Sequence, residues 1–198
     1  MRDVIAGKQL LSRKHHWRLL TAATGVAVAI GLAWFIQWQA TTTVILVRHA
    51  EKASLPPNDP DLSDAGKRRA MILSRILADS VAINGIDAIF ATPFRRTRQT
   101  AKAVADAFDL PVHNYAAEGR TLVKTILDHY HGQTIVVVGH SNTLSGLIAG
   151  LGVNEPLAPI DQNEYDNLYI VTVPLYGKST LSHRHYGVAY QPDSVPGR

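Results

Sequence analysis

From residue 44 onward the chain repeats one alternation. A short apolar run is followed by a longer stretch whose apolar residues recur every three or four positions. The first run, residues 44–47 (Val-Ile-Leu-Val), is followed by a Pro-rich loop at 52–62 that can be neither helix nor central strand. Ser63 and Asp64 suit a helix start, as N-cap and first-turn acid, and Ala70, Leu73, Ile76 and Leu77 then mark one buried face up to about Ser80. Asn84-Gly85 turns the chain into a second run at 86–91. The spacing predicts further helices over 96–108, with Ala101, Val104, Ala105 and Phe108 inward, and over 121–130, stopped by Gly132. A short edge segment around Val112 lies between them. The most apolar run, 134–138, precedes a helix at 142–151, and residues 168–173 and 180–185 form a closing pair of strands around Gly177. Strand and helix in alternation predict an α/β fold, a three-layer α/β/α sandwich with a largely parallel sheet.

The pattern breaks before residue 41. Residues 19–38 contain no charged side chain, and some twenty residues of helix span about 30 Å, the thickness of a bilayer's hydrocarbon core. Trp34 and Trp38 lie at the far end, where interfacial aromatic residues belong. The expected organisation is a basic cytoplasmic tail (1–18), a transmembrane signal anchor (19–38), a catalytic domain (41–190) on the periplasmic or extracellular side, and a loose tail (191–198). A cleaved signal peptide is the competing reading, although the apolar segment exceeds the usual 7–15 residues and the exit Trp38-Gln39-Ala40 lacks the small-residue pattern.

Charge supports this division. The formal net charge is +4, and residues 1–18 carry all of it: Arg2, Lys8, Arg13, Lys14 and Arg18 against Asp3. Residues 19–198 hold equal numbers of basic and acidic side chains, so overall charge gives no case for a nucleic-acid partner. Cysteine is absent, which forbids any disulfide.

Chemistry collects at the ends of the apolar runs. The first delivers Arg48-His49-Ala50-Glu51 and the run at 134–138 delivers Gly139-His140-Ser141. The run at 86–91 opens into Thr92-Pro-Phe-Arg95-Arg96-Thr-Arg98-Gln-Thr100-Ala101. Open α/β sheets bind ligands at the carboxyl ends of their strands, and two histidines with several arginines suit a phosphate group.

Taken together, these segments resemble the histidine phosphatase superfamily, which includes the phosphoglycerate mutases. Arg48-His49-Ala50-Glu51 is similar to its Arg-His-Gly/Ala-Glu signature, and Thr92–Ala101 to its Ser-x-Leu-x-Arg-Ala-x-x-Thr-Ala segment. Leu62-Ser-Asp-Ala-Gly66 is similar to its Leu-Thr-x-x-Gly, and Gly139-His140 to its second histidine. The resemblance implies a phosphatase without metal or other cofactor. His49 would form a phosphohistidine, while Arg48, Arg96 and a protonated His140 would hold the phosphoryl group. Arg95 occupies the variable position, where it could contact the rest of a substrate. The family's general acid has no clear counterpart: Glu118 is the candidate, with Glu51 and Asp166 as alternatives. The substrate would be a small phosphorylated molecule, a monoester or phosphoramidate, or a phosphoprotein.

Other readings stand beside this one. A mutase would need glycolytic acids and longer loops. Val138-Gly-His-Ser141-Asn-Thr143 has a nucleophile-elbow outline, with Asp161 or Asp166 and His183 or His185 downstream, yet a serine hydrolase explains neither Arg48-His49 nor the arginine turn. A phosphate-binding module without turnover would need no nucleophile. His183 with His185, and His129 with His131, invite a metal reading, but no nearby carboxylate or cysteine completes a ligand set in the sequence.

Overall fold

The computed structural model describes residues 2–80 and 85–189. It divides into two units, a long helix α1 (Arg2–Gln39) and a domain from Ala40 onward. Within α1 the stretch Leu19–Gln37 has a mean hydropathy of 2.1, and by length and composition it is long and apolar enough to cross a membrane. Asn84 of the expected turn, the side chain of Trp38 and the tail at 191–198 lie outside the described residues.

The domain follows the order β1 (Thr42–Arg48), α2 (Asp64–Ser80), β2 (Ala88–Ala91), α3 (Arg95–Phe108), β3 (Val112–Asn114), α4 (Arg120–His129), β4 (Thr134–Gly139), α5 (Ser141–Gly150), β5 (Asn167–Val173) and β6 (Thr180–His185). The six strands form one sheet in the order β3-β2-β4-β1-β5-β6. β1 begins at Thr42, two residues before the first apolar run.

β1 is buried on both sides, as expected of a central strand covered by helices. Val44 and Leu46 face a core with Leu122 and Ile126 of α4 and Leu144, Leu147 and Ile148 of α5. Ile45 and Val47 face the other core, with Leu73 and Leu77 of α2 and Ala101 and Val104 of α3. The three layers follow from this alternation.

The sheet is mixed, which refines the largely parallel expectation. β1, β2, β3 and β4 pair in parallel, whereas β5 is antiparallel to both β1 and β6. The cause lies in the connection before β5. α5 carries the chain away from the carboxyl ends of the strands, and residues 152–166 bring it back there without a helix. β5 must then run in reverse.

Loop 52–62 is irregular but tied down, with an isolated antiparallel bridge between Lys52 and Leu62. It leads into α2, where the Ser63 hydroxyl accepts the Gly66 N–H at 3.1 Å and so caps the helix. Gly66 lies against the β1–α2 loop, and a Cβ there would sit 2.1 Å from the Glu51 carbonyl oxygen. Only glycine permits that approach. Gly66→Ala is expected to destabilise the domain by about 1–3 kcal/mol, the usual cost of a forced backbone shift, read as a lower denaturant midpoint at unchanged slope.

Candidate active site

The site starts from strand register. β1 and β4 are parallel neighbours with Arg48 opposite Gly139, and the His49 N–H donates to the Gly139 carbonyl at 3.0 Å. His49 and His140 therefore leave the sheet side by side. Their rings lie 5.4 Å apart, edge to face. Gly139 has a steric reason, since a Cβ would come 2.8 Å from the Tyr115 hydroxyl.

The His49 ring is fixed by a short bond. Nδ1 lies 2.8 Å from the Ala50 carbonyl, and a carbonyl can only accept, so Nδ1 carries the proton and Nε2 the lone pair. The next amide, Ala50 N–H, donates to the Thr100 hydroxyl at 3.0 Å, which in turn donates to the Arg96 carbonyl at 2.8 Å. The first turn of α3 thus holds the chain just after His49.

Arg48 is 7% exposed, and its Nη1 donates to two backbone carbonyls of the segment before β5, Asp161 at 2.8 Å and Glu164 at 3.0 Å. Its guanidinium carbon lies 4.3 Å from the centre of the Tyr165 ring. Nε is buried and makes no hydrogen bond, leaving a donor for an anion. Arg96 enters from α3. It lies 4.5 Å from the centre of the Phe94 ring and 3.6 Å from the Asp59 carboxylate of loop 52–62. His140 Nε2 meets the Thr92 hydroxyl at 2.9 Å, and Thr92 meets the Thr97 hydroxyl at 2.8 Å.

Residues 44–117 match the family model of the histidine phosphatase superfamily, branch 1. Over that segment the chain is similar to the superfamily. Phosphoserine phosphatase 1 of Hydrogenobacter thermophilus is 39% identical over 75 residues, 35% of this chain and 34% of its own. The chain thus aligns with about a third of that relative's length. In fold, the protein histidine phosphatase SixA complexed with tungstate superposes with a TM-score of 0.60 at 18% identity, covering 72% of this chain and 96% of its own. Phosphoserine phosphatase from Entamoeba histolytica, solved with phosphoserine, gives 0.55 at 17% identity over 71% and 95%.

The remaining candidates fall in different places. Arg95 is half-exposed and pairs with Asp61 at 2.8 Å. Glu118 lies exposed in the turn after β3 and makes no hydrogen bond or ion pair among the described residues. Glu51 is held by Arg69, whose Nε donates to its Oε1 at 2.8 Å, and the same guanidinium reaches the carbonyls of Tyr186 and Val188. Asp166 is buried and meets His185 Nδ1 at 3.2 Å. Ser141 opens α5 as its first residue, and His140 is the N-cap. The expected lack of a carboxylate to complete a set with the paired histidines is corrected, because the segment just before β5 sets Glu164 and Asp166 beside His185, their ligand atoms within 4.8 Å. Pairing of β5 with β6 makes that neighbourhood, and no spacing in the sequence announces it.

Tyr165, Phe94, Thr97 and Asp59 are the site neighbours that sequence reasoning passed over. Thr97 carried one signal, a hydroxyl at a position where the family segment has alanine.

Burial depresses both histidines. The His49 ring is pushed down to about 3, first by burial and then by Arg48, Arg96 and His140, against the opposing bond to Ala50. His140 is pushed down to about 4 by burial, then by Arg96 and Arg48. Both rings are neutral at pH 7 in the free site, so a protonated His140 requires an arriving anion. The unfolded chain takes up protons at both histidines below 6.5, while the folded one resists until about 4 and about 3. Their contribution is therefore complete above 6.5 and lost as pH falls through this window. Chemical denaturation between pH 7 and 4 is expected to show stability declining with acid, more shallowly in His140→Gln.

Proposed function

We propose that the domain is a phosphatase in which His49 Nε2 takes the phosphoryl group and passes it to water. The observation that carries this reading is the bond from Nδ1–H to the Ala50 carbonyl, which leaves Nε2 as a neutral nucleophile beside Arg48 and Arg96. In the first step an Nε2–P bond forms while the bond to the leaving group breaks, and the leaving group departs with the electron pair. In the second, water attacks phosphorus, Nε2 is released, and inorganic phosphate leaves. The guanidinium forks meet the equatorial oxygens as charge spreads over them.

His140 supplies a further donor once the phosphoryl anion offsets the two arginines. Glu118 lies on the turn after β3, at the same end of the sheet, but no described side chain orients it. This arrangement favours leaving groups with little need of a proton donor, such as those of phosphoramidates and aryl phosphates. The similarity to a relative named phosphoserine phosphatase supports a small phosphomonoester as another substrate, and a phosphoprotein fits the same chemistry.

In the same reading residues 19–38 anchor the domain to a membrane. The basic tail 1–18 stays cytoplasmic and residues 41–190 face the periplasm or exterior. The uncharged stretch and the one-sided charge before it support this orientation. Full-length protein is expected in the membrane fraction after alkaline extraction; a shortened, freely soluble form would instead indicate cleavage.

The enzymatic test uses an aryl phosphate. His49→Ala is expected to abolish turnover and the acid-labile phospho-adduct, and Arg48→Ala or Arg96→Ala to slow turnover by on the order of 10²-fold or more. Wild-type-like turnover in His49→Ala would end the proposal. Glu118→Gln is expected to lower turnover of an alkyl phosphate more than that of an aryl phosphate if it donates the leaving-group proton, and to lower both alike otherwise.

A further inference from the structure

Loop 52–62 places a carboxylate against the phosphoryl-binding cation. Asp59 Oδ1 accepts the Arg95 N–H at 2.9 Å, at the first turn of α3, and lies 3.6 Å from Arg96 Nη1. The neighbouring acid on the loop is spent differently: Asp61 Oδ1 receives Arg95 Nε at 2.8 Å and the Gln99 amide at 2.7 Å. Gln99 also accepts the Leu62 N–H at 2.7 Å, so the loop's return is pinned to α3 close to Asp59.

The Asp59 side chain is 39% exposed, and its second oxygen makes no hydrogen bond among the described residues. A phosphoryl group held by Arg96 would thus meet a carboxylate at the rim, with one oxygen engaged and the other open. Three other carboxylates discussed above are turned elsewhere: Glu51 to Arg69, Asp166 to His185 and Asp61 to Arg95.

We propose that Asp59 is a specificity-determining residue that selects phosphorylated compounds whose leaving group carries a positive charge or an N–H donor next to the phosphoryl group. This rests on the phosphatase reading above and narrows its substrate class. A cation on the leaving group gains from the carboxylate and restores a partner to it when the phosphoryl oxygens take Arg96. A second anion meets like charge at short range, in a site partly screened from water. Phosphorylated amines and phosphoramidates with a protonated nitrogen belong to the favoured class, and phosphorylated carboxylic acids to the disfavoured one.

The test is a set of alkyl phosphates of similar size: phosphoethanolamine, propyl phosphate and phosphoglycolate, carrying an ammonium, no charge and a carboxylate. In the wild-type protein kcat/KM is expected to fall in that order. In Asp59→Asn the ratio of the first to the last is expected to shrink by on the order of tenfold, a change of about 1.4 kcal/mol, whereas Asp61→Asn should leave the ratio near its wild-type value. Melting curves of both variants establish that they are folded at assay temperature, and Asp59→Glu, which keeps the charge, is expected to keep the order.

An unchanged ratio in Asp59→Asn would overturn the inference, as would a wild-type preference for phosphoglycolate. If Asp59 only competes for Arg96, its removal raises kcat/KM for all three compounds alike and the ratio again stays put. Trapping of phosphate on His49 from an aryl phosphate separates the levels. A labile adduct without charge selection overturns the inference alone, whereas no adduct with any donor removes the phosphatase reading beneath it.

Discussion

One backbone hydrogen bond, from the His49 amide to the Gly139 carbonyl, sets the alignment on which the site depends. It continues the parallel ladder of β1 and β4 one step beyond the strand ends, so two histidines some ninety residues apart leave the sheet at the same level. A shift by one residue would send the side chains of β1 to opposite faces, exposing Ile45 and Val47 to the wrong core. The hydrophobic packing that stabilises the domain thereby also fixes where His49 stands. Function and core share one constraint.

Around this fixed point two guanidinium groups are held mainly by carbonyls and aromatic faces. Arg48 takes its contacts from the Asp161 and Glu164 carbonyls and the Tyr165 ring, and Arg96 rests against Phe94. Burial pulls the Arg48 pKa down, while neighbouring acidic groups pull it back. Carbonyls orient a cation without cancelling its charge, which leaves positive potential for an incoming anion. Burial first, and then the same potential, keeps the nearby imidazoles neutral. One electrostatic arrangement thus suits an incoming anion and preserves a lone pair on His49.

Much of this was legible in the amino-acid order. Apolar runs located β1 and β4 because a strand covered on both faces has little room for polar side chains. Helical spacing located α2 and α3 through Leu73, Leu77, Ala101 and Val104, all of them buried. Arg48, His49 and His140 stood out at the carboxyl ends of apolar runs, whereas Arg96 was told apart from Arg95 only by the family resemblance. The reversal of β5 was hidden, since an alternating pattern carries no direction. The grip on Arg48 was hidden as well, because backbone carbonyls have no residue identity to read. Asp59 sits in a loop whose path depends on Gln99 and Arg95 across the fold, and the pairing of Asp166 with His185 arises from the register between β5 and β6. Such contacts belong to tertiary structure alone.

The two margins of the sheet differ from its centre in a way that bears on how the molecule coexists with copies of itself. β3 is only three residues long, and β6 presents His183, Arg184 and His185 on a largely exposed strand. A short border on one flank and a hydrophilic, basic one on the other give a stray peptide little to zip onto. The buried apolar ribbons of β1 and β4 are the segments best suited to fibril-like stacking, and they lie innermost, shielded by neighbours on either hand. The same ordering of strands that centres His49 and His140 therefore also sequesters the stickiest stretches of the polypeptide.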